Sequence, residues 1–259
     1  MINELKVIPI DLLEKYRHTI NSSELSDKFG KLVDADISTD TFSFYTSVAS
    51  VYSSKIEGED IELDSYIKHK KFGFEFKPDY TKKIDDLYNA YSFAKGNILN
   101  KKNLSIAHKL LTKNILIENQ QGKIRTKNMY VITPDGKIEY VAATLYEVKA
   151  EMEKFYSDLK FILEEDLSME EVFFFGAMIH LVFVKIHPFD DGNGRTARLL
   201  EKWFLAQKLG NKAWFIKSEQ NYYQNHQMYY NNLRILGLEY EELDYKKALP
   251  FLLMLPNSI

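Results

Sequence analysis

The chain has 259 residues, with 34 Lys and Arg against 37 Asp and Glu for a formal charge of −3, and 45% hydrophobic, 27% charged and 14% aromatic residues. This composition excludes a disordered chain, and 11 Gly and 6 Pro exclude a collagen-like or low-complexity polymer. The near-neutral balance leaves no basic excess to coat nucleic acid, and the absence of cysteine removes disulfides, thiolate nucleophiles and sulfur-ligated zinc.

The chain reads as one mainly α domain with an N-terminal extension over residues 1–38. No basic stretch leading into an apolar segment follows Met1, so a secretory signal is not expected and the cytoplasm is the expected compartment. Residues 39–100 form a helical region. Its first helix, 40–57, carries the apolar stripe Phe42, Tyr45, Val48, Ala49, Tyr52 and Ile56 and stops at Gly58. Pro78 and Asp79 open a second helix through Ile84, Leu87, Tyr88 and Tyr91. Residues 101–250 read as the core, beginning with a helix capped by Ser105 that carries Ile106, Leu110 and Leu111.

One interruption is not helical. Met129-Tyr130-Val131-Ile132 and Ile138-Glu139-Tyr140-Val141 flank Thr133-Pro134-Asp135-Gly136-Lys137, whose Pro-Asp-Gly is turn chemistry, so a single β-hairpin is predicted. Thr144 and Glu147 form a capping box before Leu145, Val148, Met152 and Phe155. Helices at 169–185 and 193–209 follow, the second ended by Gly210, and a later one carries Tyr222-Tyr223 and Tyr229-Tyr230. The longest apolar run, Val172 to Val184, would cover ~20 Å as a helix against the ~30 Å of a bilayer, so it reads as a core helix and no membrane span is expected. Residues 251–259 are a C-terminal tail.

The segment with chemistry is Ile186-His187-Pro188-Phe189-Asp190-Asp191-Gly192-Asn193-Gly194-Arg195-Thr196-Ala197-Arg198, between the two long helices. Gly192, Asn193 and Gly194 permit positive φ and little bulk, so successive amides can face one concavity at a helix N-terminus, a place that binds anions. Arg195 and Arg198, at i and i+3, can grip further phosphate oxygens. Asp191 beside such a cradle would repel a bare anion, and Mg²⁺, which takes one or two carboxylates and substrate phosphates, resolves this. His187 stands at the loop entrance with a pKa suited to a general base. No Ser or Cys nucleophile is adjacent, so the activated hydroxyl belongs to the substrate. Phe189 is expected to face inward and Asp190 to be solvated. His18, His69, His108 and His226 receive no chemistry, and His180 is expected to be a satisfied core histidine.

His187-Pro-Phe189-Asp-Asp191-Gly192-Asn193-Gly194-Arg195-Thr-Ala-Arg198 resembles the Fic-domain signature, His-x-Phe-x-Asp/Glu-Gly-Asn-Gly-Arg-x-x-Arg. The order of elements over roughly 40–250, with Gly122-x-x-Arg125 before the hairpin, is also similar to Fic. The resemblance implies a Fic-type helical bundle with one β-hairpin flap that transfers AMP from ATP to a protein hydroxyl and releases pyrophosphate. It implies His187 as base, Asp191 as Mg²⁺ ligand, Gly192, Asn193 and Gly194 on the α-phosphate side, Arg195 at the β-phosphate and Arg198 at the γ-phosphate. It further implies a target protein bearing a Ser, Thr or Tyr hydroxyl, docked along Met129, Tyr130, Val131 and Ile132 or Ile138, Glu139, Tyr140 and Val141.

Ser53-Ser54-Lys55-Ile56-Glu57-Gly58 resembles the Fic inhibitory motif, Ser/Thr-x-x-x-Glu-Gly/Asn, in the class with an N-terminal inhibitory helix. Ser53, Glu57 and Gly58 would then hold the enzyme low, with Glu57 paired to Arg198. Tyr229 or Tyr230 resembles the family's Tyr-Tyr-x-x-Leu segment near adenine, with core packing as the alternative. Ala142-Ala143 depart from the Pro-Pro often found after the flap, and no winged helix follows residue 250, so no nucleic acid partner is expected. Removal of AMP from a modified protein and a nucleotide-gated interaction module remain alternatives, and the oligomeric state, a homo-oligomer included, stays open. A kinase-like reaction is disfavoured because Doc relatives depart from Gly-Asn-Gly-Arg, intact here.

Overall fold

The computed structural model describes residues 5–39, 42–132 and 138–259. The centre of the fold is the most apolar stretch of the chain, which forms α8, Met169–Ile186. Ser168 and Glu171 close a reciprocal capping box at its start, and every residue from Glu171 to Ile186 is buried, so the helix is covered on all sides. It packs most extensively on α9, Asn193–Leu209, and the loop between them carries the glycine-rich motif. Around this pair stand α1 (Leu13–Thr19), α2 (Ser22–Gly30), α7 (Val148–Glu164) and α12 (Leu249–Leu252).

The stretches at either end of the chain share this core. Leu13, Tyr16, Leu25 and Phe29 pack with Phe251, Leu252 and Leu255 in one cluster. Asp158 on α7 accepts hydrogen bonds from the amides of Lys6, Val7 and Ile8 at 2.8–3.0 Å, tying the first segment across the bundle.

The predicted 40–57 helix is α3, Phe44–Ile56. Ser43 caps it by accepting from the Thr46 amide, and residues 40 and 41 lie outside the described residues. Ser47, Ser50, Ser53 and Ser54 are buried beside the apolar stripe, because α3 is wedged between α5 (Pro78–Lys95) and α10 (Ser218–Gln224). A second small cluster, Val51, Ile61, Tyr66, Ile84 and Tyr88, joins α3 and α5 to α4, Leu63–Phe72.

Two caps differ from expectation. Asn100, not Ser105, caps α6 (Lys101–Leu111), accepting from the Asn103 amide at 2.9 Å. Ser105 lies inside the helix, where its hydroxyl donates to the Gly122 carbonyl at 2.6 Å. The Thr144–Glu147 box is half formed: Glu147 accepts from the Thr144 amide at 3.1 Å, but the Thr144 hydroxyl donates to the same carboxylate at 2.7 Å, and α7 begins only at Val148.

The hairpin is present as β1 (Tyr130–Ile132) paired antiparallel to β2 (Ile138–Val141), with an irregularity between Val131 and Ile132. The predicted turn, 133–137, lies outside the described residues. The Val141 amide donates to the Leu238 carbonyl at 2.7 Å, so at its base β2 is covered on both sides and β1 is the outer strand. No helix among the described residues is long and apolar enough to cross a membrane.

Candidate active site

His187 ends α8 in a left-handed conformation, φ 53°, which costs a non-glycine residue about 1–2 kcal/mol. The sequence provides what fixes it there. Pro188 has no amide hydrogen, so the Val184 carbonyl has no helical donor from four residues on. The Tyr140 hydroxyl lies 3.0 Å from that carbonyl and 2.8 Å from His187 Nδ1, itself 3.3 Å from it. Arg125, buried below the flap, donates from Nε to the His187 carbonyl at 2.7 Å, from Nη1 to Lys127 at 2.5 Å, and from Nη2 to Ala143. Its amide also donates to Pro188 at 2.9 Å, so one residue clamps the end of α8 to the base of the hairpin. Burial, aided by the charge of Arg125, pushes the His187 pKa from 6.5 down to about 4, against the pull of the Val184 carbonyl and Glu57. The imidazole is therefore neutral at pH 7, the state a base requires.

The loop after His187 is braced from beneath. Phe189 is buried and stacks on His108, ring centroids 3.6 Å apart. His108 accepts from the Gly122 amide through Nδ1 at 2.8 Å, which leaves Nε2–H to donate to the Asp191 carbonyl at 2.9 Å. Gly122 has φ 71°, and a Cβ there would sit 2.6 Å from the Ser105 carbonyl oxygen, so only glycine fits. Asn193 spends its side chain on the loop, accepting from the Phe189 amide at 2.9 Å and donating to the Phe189 carbonyl at 2.8 Å. What Gly192, Asn193 and Gly194 can offer a ligand is thus main chain at the N-terminus of α9.

The two arginines of the motif meet two carboxylates from the end of α3. Glu57 is the C-cap residue, Gly58 follows at φ 91°, and the Gly58 and Glu59 amides donate back to Lys55 and Ser54, each at 3.1 Å. This is a Schellman turn, and it aims both glutamates at α9. Arg198 donates to Glu57 at 2.6 Å, to the Ser53 hydroxyl at 2.8 Å and to the Ser53 carbonyl at 3.1 Å. Arg195 donates to both carboxylate oxygens of Glu59 at 2.6 and 2.7 Å, both side chains being 5% exposed, and Lys83 lies 3.3 Å from the same carboxylate. Burial alone would raise the Glu57 pKa, but Arg198 and Arg195 more than reverse it, so Glu57 stays ionised. A Cβ on Gly194 would lie 2.7 Å from the Glu57 carboxylate, which places that carboxylate against the amide cradle.

The Fic/DOC family model matches residues 99–205, the stretch that holds His108, Arg125, the flap and the whole motif. Residues 99–205 form a Fic domain. The chain is 40% identical over 82 residues to the protein adenylyltransferase fic-1 of Caenorhabditis briggsae, a match covering 31% of this chain and 14% of that relative. Its fold is similar to a Fic family protein from Desulfovibrio desulfuricans, with TM-score 0.72, 18% identity and 92% and 72% of the two chains covered. It is also similar to a Fic domain containing signaling protein from Bacteroides thetaiotaomicron, with TM-score 0.69, 16% identity and 92% of each chain covered.

Within the Fic domain, Asp191 is exposed beside the cradle and accepts from the Gly192 amide at 2.5 Å. Among the described residues no group of three or more His, Asp or Glu could hold a metal, so Mg²⁺ at this lone carboxylate would need ligands from a nucleotide and water. A cavity of about 1050 Å³ opens between the end of α3, the flap, α10 and α11 (His226–Arg234), lined by Glu57, Gly58, Val131, Ile132, Tyr223 and Tyr230 among others. Tyr229 does not line it. It lies 2% exposed in the core, its hydroxyl 3.0 Å from His180 Nε2, while Glu201 lies 2.8 Å from His180 Nδ1. His180 is therefore a satisfied core histidine, and the aromatic pair facing the cavity is Tyr223 and Tyr230. Along the flap, Tyr130, Ile132 and Ile138 are exposed, Tyr140 is buried against His187, Glu139 lies within β2, and Met129 falls just before β1, where its carbonyl accepts from the Ala142 amide at 3.0 Å.

Proposed function

We propose that this chain is a protein adenylyltransferase of the class with an N-terminal inhibitory helix, and that α3 holds it low through both arginines of the Fic motif. The observation that carries this reading is the pairing of Arg198 with Glu57 and of Arg195 with Glu59 from a single helix end. In the transfer, a target hydroxyl hydrogen-bonds to His187 Nε2 and gives up its proton as its oxygen attacks the α-phosphorus of ATP. The bond to the bridging oxygen breaks and pyrophosphate leaves. The amides at the start of α9 hold the α-phosphate, and Arg195 and Arg198 hold the β- and γ-phosphates once the glutamates let go. Mg²⁺, when held by Asp191, neutralises charge on the phosphates.

An extended segment of the target adds to β1, the outer strand of the hairpin, whose residue Val131 faces Tyr140 across the ladder. The position of Glu57 against the cradle also favours a second reading, in which the same carboxylate aligns water for removal of AMP from a modified protein. Incubation with ATP labelled at the α- or γ-phosphate tests the main reading. Transfer of only the α-label to protein supports it, transfer of the γ-label refutes it, and loss of AMP from a pre-modified target supports the second reading.

A further inference from the structure

We infer that Tyr140, on the second strand of the flap, is a positioning residue that sets the tautomer of His187 and so joins target docking to the base. The inference rests on His187 being the base of the proposed transfer, and it follows from counting protons at the end of α8.

Three polar atoms meet there: the Val184 carbonyl oxygen, the Tyr140 hydroxyl and His187 Nδ1. The carbonyl can only accept, and Pro188 has taken away its helical donor. The hydroxyl has one hydrogen. If that hydrogen went to Nδ1, the 3.0 Å contact between the hydroxyl and the carbonyl would set oxygen lone pairs against each other with no proton between them. The arrangement that fills these three contacts has the Tyr140 hydroxyl donating to Val184 and Nδ1–H donating to the Tyr140 oxygen at 2.8 Å, with Val184 as a longer second acceptor at 3.3 Å. In the neutral imidazole Nδ1 then carries the hydrogen and Nε2 carries the lone pair. Nε2 is the nitrogen that must receive the substrate proton.

The source of this hydroxyl gives it consequence. Tyr140 is directly paired with Val131 of β1, the strand offered to a target segment, and its ring is 5% exposed and edge-on to the imidazole at 5.9 Å. Arg125 fastens the same flap base to the His187 carbonyl. A strand added at β1 thus sits one residue pair from the group that orients the base.

The test uses the full chain and the variant Tyr140→Phe, which keeps the ring and removes the hydroxyl. Long-range ¹H–¹⁵N correlation spectra of ¹⁵N-histidine-labelled protein report the tautomer directly, and His187→Gln assigns the resonance. The expected result is a protonated Nδ1 and bare Nε2 in the parent, and a mixture of both tautomers in Tyr140→Phe. In a Glu57→Gly background, kcat for AMP transfer should fall about 10–100-fold, the range seen when the hydrogen-bond partners of metal-ligating histidines are lost, with the KM for ATP unchanged. A hydrogen on Nε2 in the parent overturns the inference, as does an unchanged spectrum in Tyr140→Phe. Should Tyr140→Phe unfold, the parent spectrum alone still decides the tautomer. Absence of AMP transfer in every variant would refute the proposed reaction while the spectra judged Tyr140 separately.

Discussion

Substituting the two glutamates at the end of α3 separately should have different consequences, because their environments differ. Glu57 is 27% exposed, so its pair with Arg198 is partly screened, and Arg198 keeps two bonds to Ser53 when Glu57 is lost. Regulatory couplings run from about 1 to 3 kcal/mol, and partial exposure places Glu57 toward the lower end, so Glu57→Gly should tighten ATP binding roughly tenfold, about 1.4 kcal/mol. Glu59 is buried against Arg195 and near Lys83. Glu59→Gln leaves an uncompensated buried guanidinium whose Nε already has no partner among the described residues. Breaking such a pair costs about 3–5 kcal/mol, and at about 2–4 °C per kcal/mol for a chain of this size the loss of even 3 kcal/mol lowers Tm by roughly 6–12 °C. ATP supplies the missing anion, and at a hundredfold excess over Kd it returns about 2.7 kcal/mol. Calorimetric titration with Mg²⁺ and ATP, and melting with and without ATP, should be run in a His187→Ala background to prevent turnover. Glu57→Gly should show a small change in Tm and tighter binding, and Glu59→Gln a large drop in Tm that ATP reverses. Equal ATP affinity in the parent and both variants would refute the view that these carboxylates compete with phosphates.

Other outcomes follow from the same geometry. His187→Ala should abolish AMP transfer while ATP still binds, measured by label incorporation beside calorimetry. Asp191→Ala should remove the Mg²⁺ dependence of ATP binding, seen by titration with and without the metal. His187 and His108 both have pKa values lowered by burial from 6.5 to about 4, so the unfolded chain binds more protons between those values. Stability is therefore complete above pH 6.5 and lost as pH falls toward 4, by up to ~1.4 kcal/mol per pH unit for each histidine, readable as a falling midpoint in urea. Proline at Tyr130 on the outer strand should reduce target modification more than ATP binding or Tm, whereas equal losses would make the hairpin purely structural.

The site was unevenly legible in the sequence. The motif is local: the turn glycines, the arginines one helical turn apart and the apolar run before His187 lie within one stretch, so α8, α9 and the cradle between them could be read directly. Glu57 was found through its own short motif, but Glu59, two residues on, makes an equally close pair with a residue 136 positions away. No periodicity links such partners. The contacts of His108, given no chemistry, and of Tyr140, read only as a flap residue, are hidden for the same reason, arising where α6, the flap and the end of α8 converge. Pro188 was the visible signal for Tyr140, since it frees a carbonyl that some donor must fill. Helices α1, α2 and α4 are only seven to ten residues long, with few buried positions each, and gave too little pattern to read. Asn100 displaced Ser105 as a cap because α6 begins a turn earlier, and of the two adjacent tyrosines the core claimed Tyr229, whose hydroxyl is bonded to His180.

The central claim is that α3 restrains an otherwise competent transferase, and the most direct measurement is AMP incorporation from α-labelled ATP by the parent, Glu57→Gly, and Glu57→Gly with His187→Ala, beside release of AMP from a pre-modified target. The account predicts a low rate in the parent, a rise of about 5–150-fold in Glu57→Gly, and no transfer in the double variant, because freeing the phosphate site cannot replace the base. Identical incorporation by the parent and Glu57→Gly, with AMP release also unchanged, would contradict it.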